Sequence, residues 1–269
     1  MAMVIGGLLL GYGLLHLAHP GYHDLFCRGG RALWFGLWAW AGFVWAGTPV
    51  AWPEVGAVVL AYQTTYIANA FWDQAEDRAN GRFLCLSAYH HHLALILGWI
   101  TVLLAGLQRL EAGLLLAIAT LAGLAYHHPR TRWKRFGTAQ VALEGLAGAA
   151  VFALGWGWQP GAWLAGALMG LGAVLKDLPD LKGDQAAGHR TWMLLATHRW
   201  GVPRVHHWAR TSLSLLLALL ALVGWNQGSR IGPMVFLVLA LLTYIYGLRG
   251  ERWIWVANSA LLTLNLGGP

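Results

Sequence analysis

The stretch AYHHHLALILGWITVLLAGL, residues 88–107, contains 20 residues and none of them is Asp, Glu, Lys or Arg. An α-helix needs about 20 mostly apolar residues to cross the hydrocarbon core of a bilayer, so this stretch predicts a transmembrane helix. Similar stretches recur along the whole chain. We expect ten membrane-spanning segments, at residues 2–17, 32–47, 54–72, 88–107, 112–127, 138–156, 161–175, 208–225, 231–248 and 253–267.

The composition supports an all-α polytopic membrane protein. Of the 269 residues, 58% are hydrophobic and only 11% are charged. A soluble domain does not have this balance. The polar stretches between the apolar segments are too short to fold separately, so we expect a single transmembrane unit. Several segments are shorter than a straight span, which tilting or bending of the helix would accommodate.

The basic residues predict the orientation of this unit. If the ten segments cross the membrane in alternation, 16 of the 18 Lys and Arg residues, all except Arg109 and Arg230, fall on one side. The positive-inside rule makes that side cytoplasmic. We therefore expect an integral protein of the cell inner membrane, with these loops in the cytoplasm.

Acidic residues are rare and are concentrated in two short stretches on the same predicted side. The first, NAFWDQAED, covers residues 69–77, and the second, KDLPDLKGD, covers residues 176–184. Together they hold more than half of the 11 acidic residues. Carboxylates close to a bilayer are costly, so their concentration there usually indicates function.

Each stretch places oxygen-bearing side chains on one face of a helix. In the first stretch they recur at every fourth residue, at Asn69, Asp73 and Asp77. In the second they are spaced by three and then four residues, at Asp177, Asp180 and Asp184. One such stretch alone would be interpreted as a solvated helix end, whereas two on the same side favour a metal site. A cation pathway through the membrane is the alternative.

Hard oxygen ligands of this kind suit Mg²⁺, which shares its coordination sphere with water and substrate phosphates. Two carboxylate clusters that face each other could hold Mg²⁺ ions with a diphosphate between them. The expected metal ligands are Asp73, Asp77, Asp177, Asp180 and Asp184. All of these except Asp177 are also the expected catalytic residues.

A third stretch, YHHPRTRWKR at residues 126–135, also lies on the predicted cytoplasmic side. Its Arg130, Arg132 and Lys134 could bind phosphate oxygens. An ordinary basic loop that only sets the orientation would account equally well for any one of them. We expect these three residues, together with Asn69 and Asp177, to contact the substrate.

On these three stretches the chain resembles the UbiA superfamily of intramembrane prenyltransferases. The spacing Asn69-xxx-Asp73-xxx-Asp77 is similar to the first motif of the family. The segment from Tyr126 to Arg135 is similar to its Y-x-P-x-R-x-K-R segment, and this likeness adds Tyr126 to the expected substrate-binding residues. The stretch from Asp177 to Thr191 is similar to the second aspartate motif, in the form found in the homogentisate and carotenoid branches.

The resemblance implies a nine-helix transmembrane bundle over residues 32–269. Residues 1–31 would then form an extra apolar helix and a cytoplasmic loop. The resemblance also implies Mg²⁺ as cofactor, an isoprenyl diphosphate as donor, and an aromatic or lipid molecule as acceptor. Membrane lipids are the other expected partners, and we expect no nucleic-acid partner.

Together these features predict a Mg²⁺-dependent prenyltransferase. An alternative on the same scaffold is a terpene cyclase, which ionises the isoprenyl diphosphate without an acceptor. An alternative of another class is a cation transporter or channel.

Overall fold

The computed structural model describes residues 32, 35–43, 46–79, 88–176, 181–208, 211–212, 214–215 and 218. The expected segments 2–17, 231–248 and 253–267 lie outside these residues, as does most of 208–225. The expected N-terminal helix and loop at residues 1–31 also lie outside them.

The described part of the chain is all-helical, with no strand. Its helices are α1 (Trp52–Trp72), α2 (Gln74–Ala79), α3 (Ala88–Gln108), α4 (Leu110–His127), a 3-10 helix (Trp133–Arg135), α5 (Gly137–Trp156), α6 (Pro160–Lys176), α7 (Leu181–Ala186) and α8 (Trp192–Trp200). Residues 35–43 and 202–208 are also helical. Helices therefore occur at the expected segments 54–72, 88–107, 112–127, 138–156 and 161–175.

The local sequence accounts for several helix ends. Pro53 lies in the first turn of α1, where its missing N–H leaves no hydrogen bond unmade. His128 precedes Pro129 and is extended, with φ −60° and ψ 132°, so α4 ends at His127. Gly157 caps α5 with φ +69°, a conformation that L side chains rarely adopt.

Within the described residues, three helices are long and apolar enough to cross a membrane. They are α4, α5 and the part of α3 from His91 to Gln108. Residues 160–174 of α6 form a shorter apolar helix. The exposed surfaces of α3 and α4 carry large apolar side chains, including Leu103, Leu107 and Leu114. An apolar exterior of this extent is compatible with contact to lipid.

Helix α1 is a buried helix with polar residues in its interior. Gln63, Thr64 and Thr65 are all buried. Thr64 Oγ1 donates to Leu60 O at 3.0 Å, and its second acceptor, Ala94 O at 3.1 Å, belongs to α3. Since the described helices α3 and α4 pack against it, α1 can carry polar side chains that a lipid-facing helix could not.

Successive long helices run antiparallel. Arg109, between α3 and α4, donates through Nη2 to Glu54 Oε2 at 2.8 Å in the first turn of α1. The same atom donates to Leu154 O at 2.6 Å in the last turns of α5. At the opposite end of α1, Phe71 stacks on His91 near the start of α3. We call these two ends of the helical assembly the Arg109 end and the Asp73 end.

Helices α5 and α6 approach closely through glycines. A Cβ on Gly166 would lie 2.5 Å from Gly145 O, and a Cβ on Gly170 would lie 2.6 Å from Val141 O. Small residues four positions apart permit such backbone contact between apolar helices. The position of α6 relative to α5 therefore depends on these two residues having no side chain.

Candidate functional site

Three separate parts of the chain meet at the Asp73 end. They are the junction of α1 and α2, the connection from α4 to α5 with its 3-10 helix, and the segment from α7 to the start of α8. Helices α2 and α7 pack against each other, and the 3-10 helix packs against α4 and α5. The first acidic stretch and the Asp184 part of the second one are thus brought together.

The first acidic stretch crosses an interruption in the helix. Helix α1 ends at Trp72, and Asp73 has φ −97° and ψ 16°. The helical hydrogen bonds nevertheless continue, because Asp73 N donates to Asn69 O and Asp77 N donates to Asp73 O, both at 2.8 Å. The predicted stripe is therefore preserved. The carboxylates of Asp73, Glu76 and Asp77 are all buried.

Lys134 is the buried cation of the site. Its Nζ lies 2.6 Å from Asp73 Oδ2 and also forms a short ion pair with Glu76 Oε2. Arg132 Nη2 lies 3.4 Å from the other oxygen, Glu76 Oε1. Arg132 has φ +37°, a left-handed conformation that is uncommon outside glycine. This backbone conformation begins the 3-10 helix that carries Lys134 into the site.

His189 connects the first acidic stretch to the second. Its Nδ1 lies 3.2 Å from Asp184 Oδ1, and its Nε2 lies 3.3 Å from Glu76 Oε1. The chain turns back after α7, because Gly188 has φ +68° and His189 N donates to Asp184 O at 2.9 Å. Thr191 caps α8 by accepting from Leu194 N at 3.3 Å. The turn and the cap hold the imidazole between the two carboxylates.

Burial dominates the electrostatics of Asp73. Removal from water raises the pKa of this carboxyl to about 6 against the opposing effect of the Lys134 ammonium. The nearby carboxylates of Glu76 and Asp77 also raise the pKa of Asp73, and their effect is included in this value. Closely spaced carboxylates repel one another, which is unfavourable for stability. Concentrations of acidic groups of this kind are therefore typical of functional sites.

Aromatic and imidazole rings border the site on the side of α3. His91 is buried and stacks on Phe71, with ring centroids 4.6 Å apart. Trp72 contacts the rings of His91 and His128 edge-on, with centroids 5.1 Å apart in both cases. Phe71 and Trp72 therefore take part in packing between α1, α3 and the end of α4.

The structure joins four of the ten residues expected to form the site in one network. Asp73, Lys134 and Arg132 belong to one network of ion pairs with Glu76, and Asp184 is joined to it through His189. Asp77 is buried within the same stretch. Asp177 and Asp180 lie outside the described residues.

The remaining expected residues occupy different positions. Asn69 is partly buried, and its Oδ1 has no hydrogen-bond partner among the described residues. Tyr126 is buried with its ring against His127, whose Nδ1 lies 3.9 Å from Asp73 Oδ2. Arg130 is exposed. Its backbone N donates to His128 Nδ1 at 3.2 Å.

Two central residues were not expected from the sequence. Glu76 lies three residues after Asp73, a helical spacing as good as the spacing of four that was used to define the stripe. His189 lies outside both acidic stretches, within a part of the chain that is rich in His and Trp. The signal for Glu76 was present in the pattern, whereas His189 depends on the turn at Gly188.

The described residues include one group that could hold a metal ion. Ligand atoms of Glu76, Asp184 and His189 all lie within 4.8 Å of one another. A divalent ion at this point would offset the repulsion between the carboxylates. The arrangement can therefore concentrate positive charge beside a bound anion.

Neither a family model, a curated protein nor a solved structure matches this chain.

Proposed function

We propose that the chain is an integral-membrane, Mg²⁺-dependent prenyltransferase of the kind that the resemblance to the UbiA superfamily implies. The observation that carries this proposal is the meeting of the two acidic stretches. Glu76 and Asp184 come from helices more than one hundred residues apart in the chain, and His189 contacts both carboxylates. A metal–diphosphate site formed by two motifs requires such a meeting.

The donor atoms fit a hard cation. Asn69 Oδ1 and Asp73 Oδ1 are buried and have no hydrogen-bond partner among the described residues. Buried acceptors without donors are costly, and coordination to a cation would remove that cost. The proposed Mg²⁺ ligands are Asp73, Asp77, Asp177, Asp180 and Asp184. When bound, Mg²⁺ supplies positive charge to the departing diphosphate.

The basic residues have distinct parts in this proposal. Lys134 is held by Asp73 and Glu76, so it positions these two carboxylates. Arg132 is half-buried at the edge of the network, and Arg130 is exposed. Their guanidinium groups are placed to bind diphosphate oxygens as the substrate enters. Tyr126 supports His127 beside Asp73.

The reaction proceeds by heterolysis of the allylic C–O bond, and both electrons leave with the diphosphate. The resulting allylic cation is attacked by a carbon of an aromatic or lipid acceptor. That carbon forms the new C–C bond and then loses a proton. Apolar helices exclude water from the cation, which would otherwise be captured as an alcohol.

The membrane arrangement is part of the same proposal. The apolar helices α3 to α6 belong to a nine-helix bundle over residues 32–269, in the cell inner membrane. The Asp73 end faces the cytoplasm, as the distribution of basic residues indicates. The isoprenyl diphosphate then enters with its charged head at this end and its tail among the helices or in lipid.

The function is tested with the full chain purified in detergent or in lipid nanodiscs. A panel of isoprenyl diphosphates is incubated with Mg²⁺, with and without aromatic acceptors, and products and released diphosphate are measured. Acceptor-dependent release with a prenylated product supports the transferase. Release with a cyclic hydrocarbon or terpene alcohol and no acceptor would identify the cyclase. Absence of release under every condition would contradict both, and cation flux in sealed vesicles would then favour the transporter.

A further inference from the structure

We propose that Glu76 and His189 bind one divalent first-row transition-metal ion, with Asp184 orienting the imidazole. This ion site is separate from the Asp-based Mg²⁺ positions, and its use in catalysis rests on the proposed function. Its existence can be measured by itself.

The distance between the two proposed ligand atoms fits a shared ion. Metal–nitrogen and metal–oxygen bonds of about 2.0 to 2.2 Å at angles near 90° to 110° place the two ligand atoms about 2.9 to 3.5 Å apart. His189 Nε2 and Glu76 Oε1 are 3.3 Å apart. Both atoms are buried, yet neither has a correctly aligned hydrogen-bond partner among the described residues. They are close but do not point at each other, as expected for two ligands of a third atom.

Asp184 completes a carboxylate–histidine–metal arrangement. Its Oδ1 lies 3.2 Å from His189 Nδ1, so an N–H there can donate to the carboxylate. That hydrogen bond fixes the tautomer with a free lone pair on Nε2, which faces Glu76. Metal-binding histidines commonly donate their other ring N–H in this way. The imidazole is 2% exposed and is therefore held in this orientation.

The charges of the described site leave room for a dication. Four carboxylates, those of Asp73, Glu76, Asp77 and Asp184, surround the position, and Lys134 and Arg132 supply two positive charges. Lys134 binds Glu76 Oε2 and leaves Oε1 for the ion. Arg132 Nη2 lies 3.4 Å from Oε1, which is long for a direct hydrogen bond. A divalent ion at Oε1 would offset the repulsion among these carboxylates.

The imidazole determines the kind of ion. Mg²⁺ prefers an all-oxygen environment, whereas a ligand set that includes imidazole favours Co²⁺, Ni²⁺ or Zn²⁺. Glu76 and His189 form such a mixed set, and the remaining positions are left for water or for a substrate phosphate. The pair should therefore discriminate against Mg²⁺.

The test uses Co²⁺ as probe with the full-length protein in detergent, without any diphosphate. Visible absorption bands of bound Co²⁺ report an imidazole-containing site, and titration gives the affinity. We expect Co²⁺ to bind at equal or excess Mg²⁺. His189→Gln and Glu76→Gln should each weaken binding at least about tenfold, and Asp184→Asn about 10-fold to 100-fold. The matched control is His198→Gln, because His198 is an exposed histidine on α8.

The outcomes separate this inference from the proposed function. Unchanged Co²⁺ affinity in His189→Gln, with a native far-UV spectrum and elution volume, would overturn the ion site. If the His189→Gln variant does not fold, unchanged Co²⁺ affinity in Glu76→Gln would overturn the ion site instead. Displacement of Co²⁺ by an equal concentration of Mg²⁺ would also overturn it. If Co²⁺ binds as expected but diphosphate is released without any metal, the ion site stands and the proposal of a Mg²⁺-dependent prenyltransferase is contradicted.

Discussion

Lys134 Nζ lies 2.6 Å from Asp73 Oδ2, and both side chains are buried. The same ammonium is shared with Glu76, so one lysine of the 3-10 helix holds two carboxylates, one directly after α1 and one on α2. This contact ties the first acidic stretch to the rest of the site. It also makes the stability of that end of the molecule depend on a single charge.

Replacing Lys134 by Met should destabilise the protein by about 3 to 5 kcal/mol, the usual cost of leaving buried charges without their partner. Thermal unfolding in detergent, monitored by far-UV circular dichroism, measures the loss. Lys182→Met is the control, because Lys182 is exposed on α7. Equal unfolding temperatures for the two variants would show that the ammonium contributes nothing to stability.

Replacing Asp73 by Asn should lower the rate of diphosphate release by about 10²-fold to 10³-fold, because stabilisation of the leaving group is lost. The shape of the side chain is retained, so binding of the isoprenyl tail should change little. Single-turnover release with saturating donor measures the effect. Glu111→Gln, a carboxylate at the Arg109 end, should keep its rate. A near-normal rate in Asp73→Asn would remove Asp73 from the proposed ligands.

The Arg109 end should depend on its own ion pair. Arg109→Met removes the donor to Glu54 Oε2 and Leu154 O. Leaving these acceptors without a partner should cost about 1 to 3 kcal/mol. The unfolding temperature of this variant is compared with that of Arg204→Met, an exposed arginine after α8. Equal unfolding temperatures for the two variants would show that Arg109 does not stabilise the contacts of the α3–α4 connection with α1 and α5.

Two glycines of α6 should respond in opposite ways to substitution by Ala. A Cβ at Gly166 meets Gly145 O at 2.5 Å, whereas a Cβ at Gly172 meets no atom of the described residues within 4 Å. Gly166→Ala should therefore destabilise by about 1 to 3 kcal/mol through overpacking. Gly172→Ala should stabilise by about 0.5 to 1 kcal/mol, because Ala restricts the unfolded chain. Similar unfolding temperatures would contradict the close approach of α5 and α6.

The proposed orientation can be checked by labelling single cysteines. Cys27 and Cys85 are first replaced by Ser, and Arg130→Cys or Glu111→Cys is then introduced at an exposed position. With a membrane-impermeant maleimide on intact cells, Glu111→Cys should react and Arg130→Cys should react only after lysis. The reverse pattern would place the Asp73 end outside the cytoplasm.

The sequence predicted the helical class, and it singled out four residues that lie in the described ion-pair network, because both predictions depend on local patterns. The mostly apolar stretches at 88–107 and 138–156 predicted helices that are present. The spacing of Asn69, Asp73 and Asp77 survived the break after Trp72 because the helical hydrogen bonds continue across it. Patterns of this kind require no knowledge of distant parts of the chain.

The parts that the sequence did not predict depend on long-range geometry. His189 reaches Glu76 only because the chain reverses at Gly188, and periodicity cannot describe a reversal. The hydropathy of 54–72 predicted a spanning segment like the others. The structure adds that α1 buries Gln63, Thr64 and Thr65, so that among the described long helices it is less apolar than α3, α4 and α5. Polar residues on α1 are tolerated because neighbouring helices surround it.

The residues of the site are synthesised in a fixed order, and this order determines when the site can form. Asp73 and Glu76 emerge first, Lys134 follows after two further apolar helices, and His189 follows after two more. Until Lys134 has been synthesised, the carboxylates of Asp73 and Glu76 lack its ammonium group as a partner. Removing these carboxylates from water without a partner is strongly unfavourable. The junction of α1 and α2 must therefore stay hydrated while α3 and α4 are synthesised. Closure of the Asp73 end is a late event in biogenesis, and chains cut short before residue 134 should be recognised by quality-control proteases.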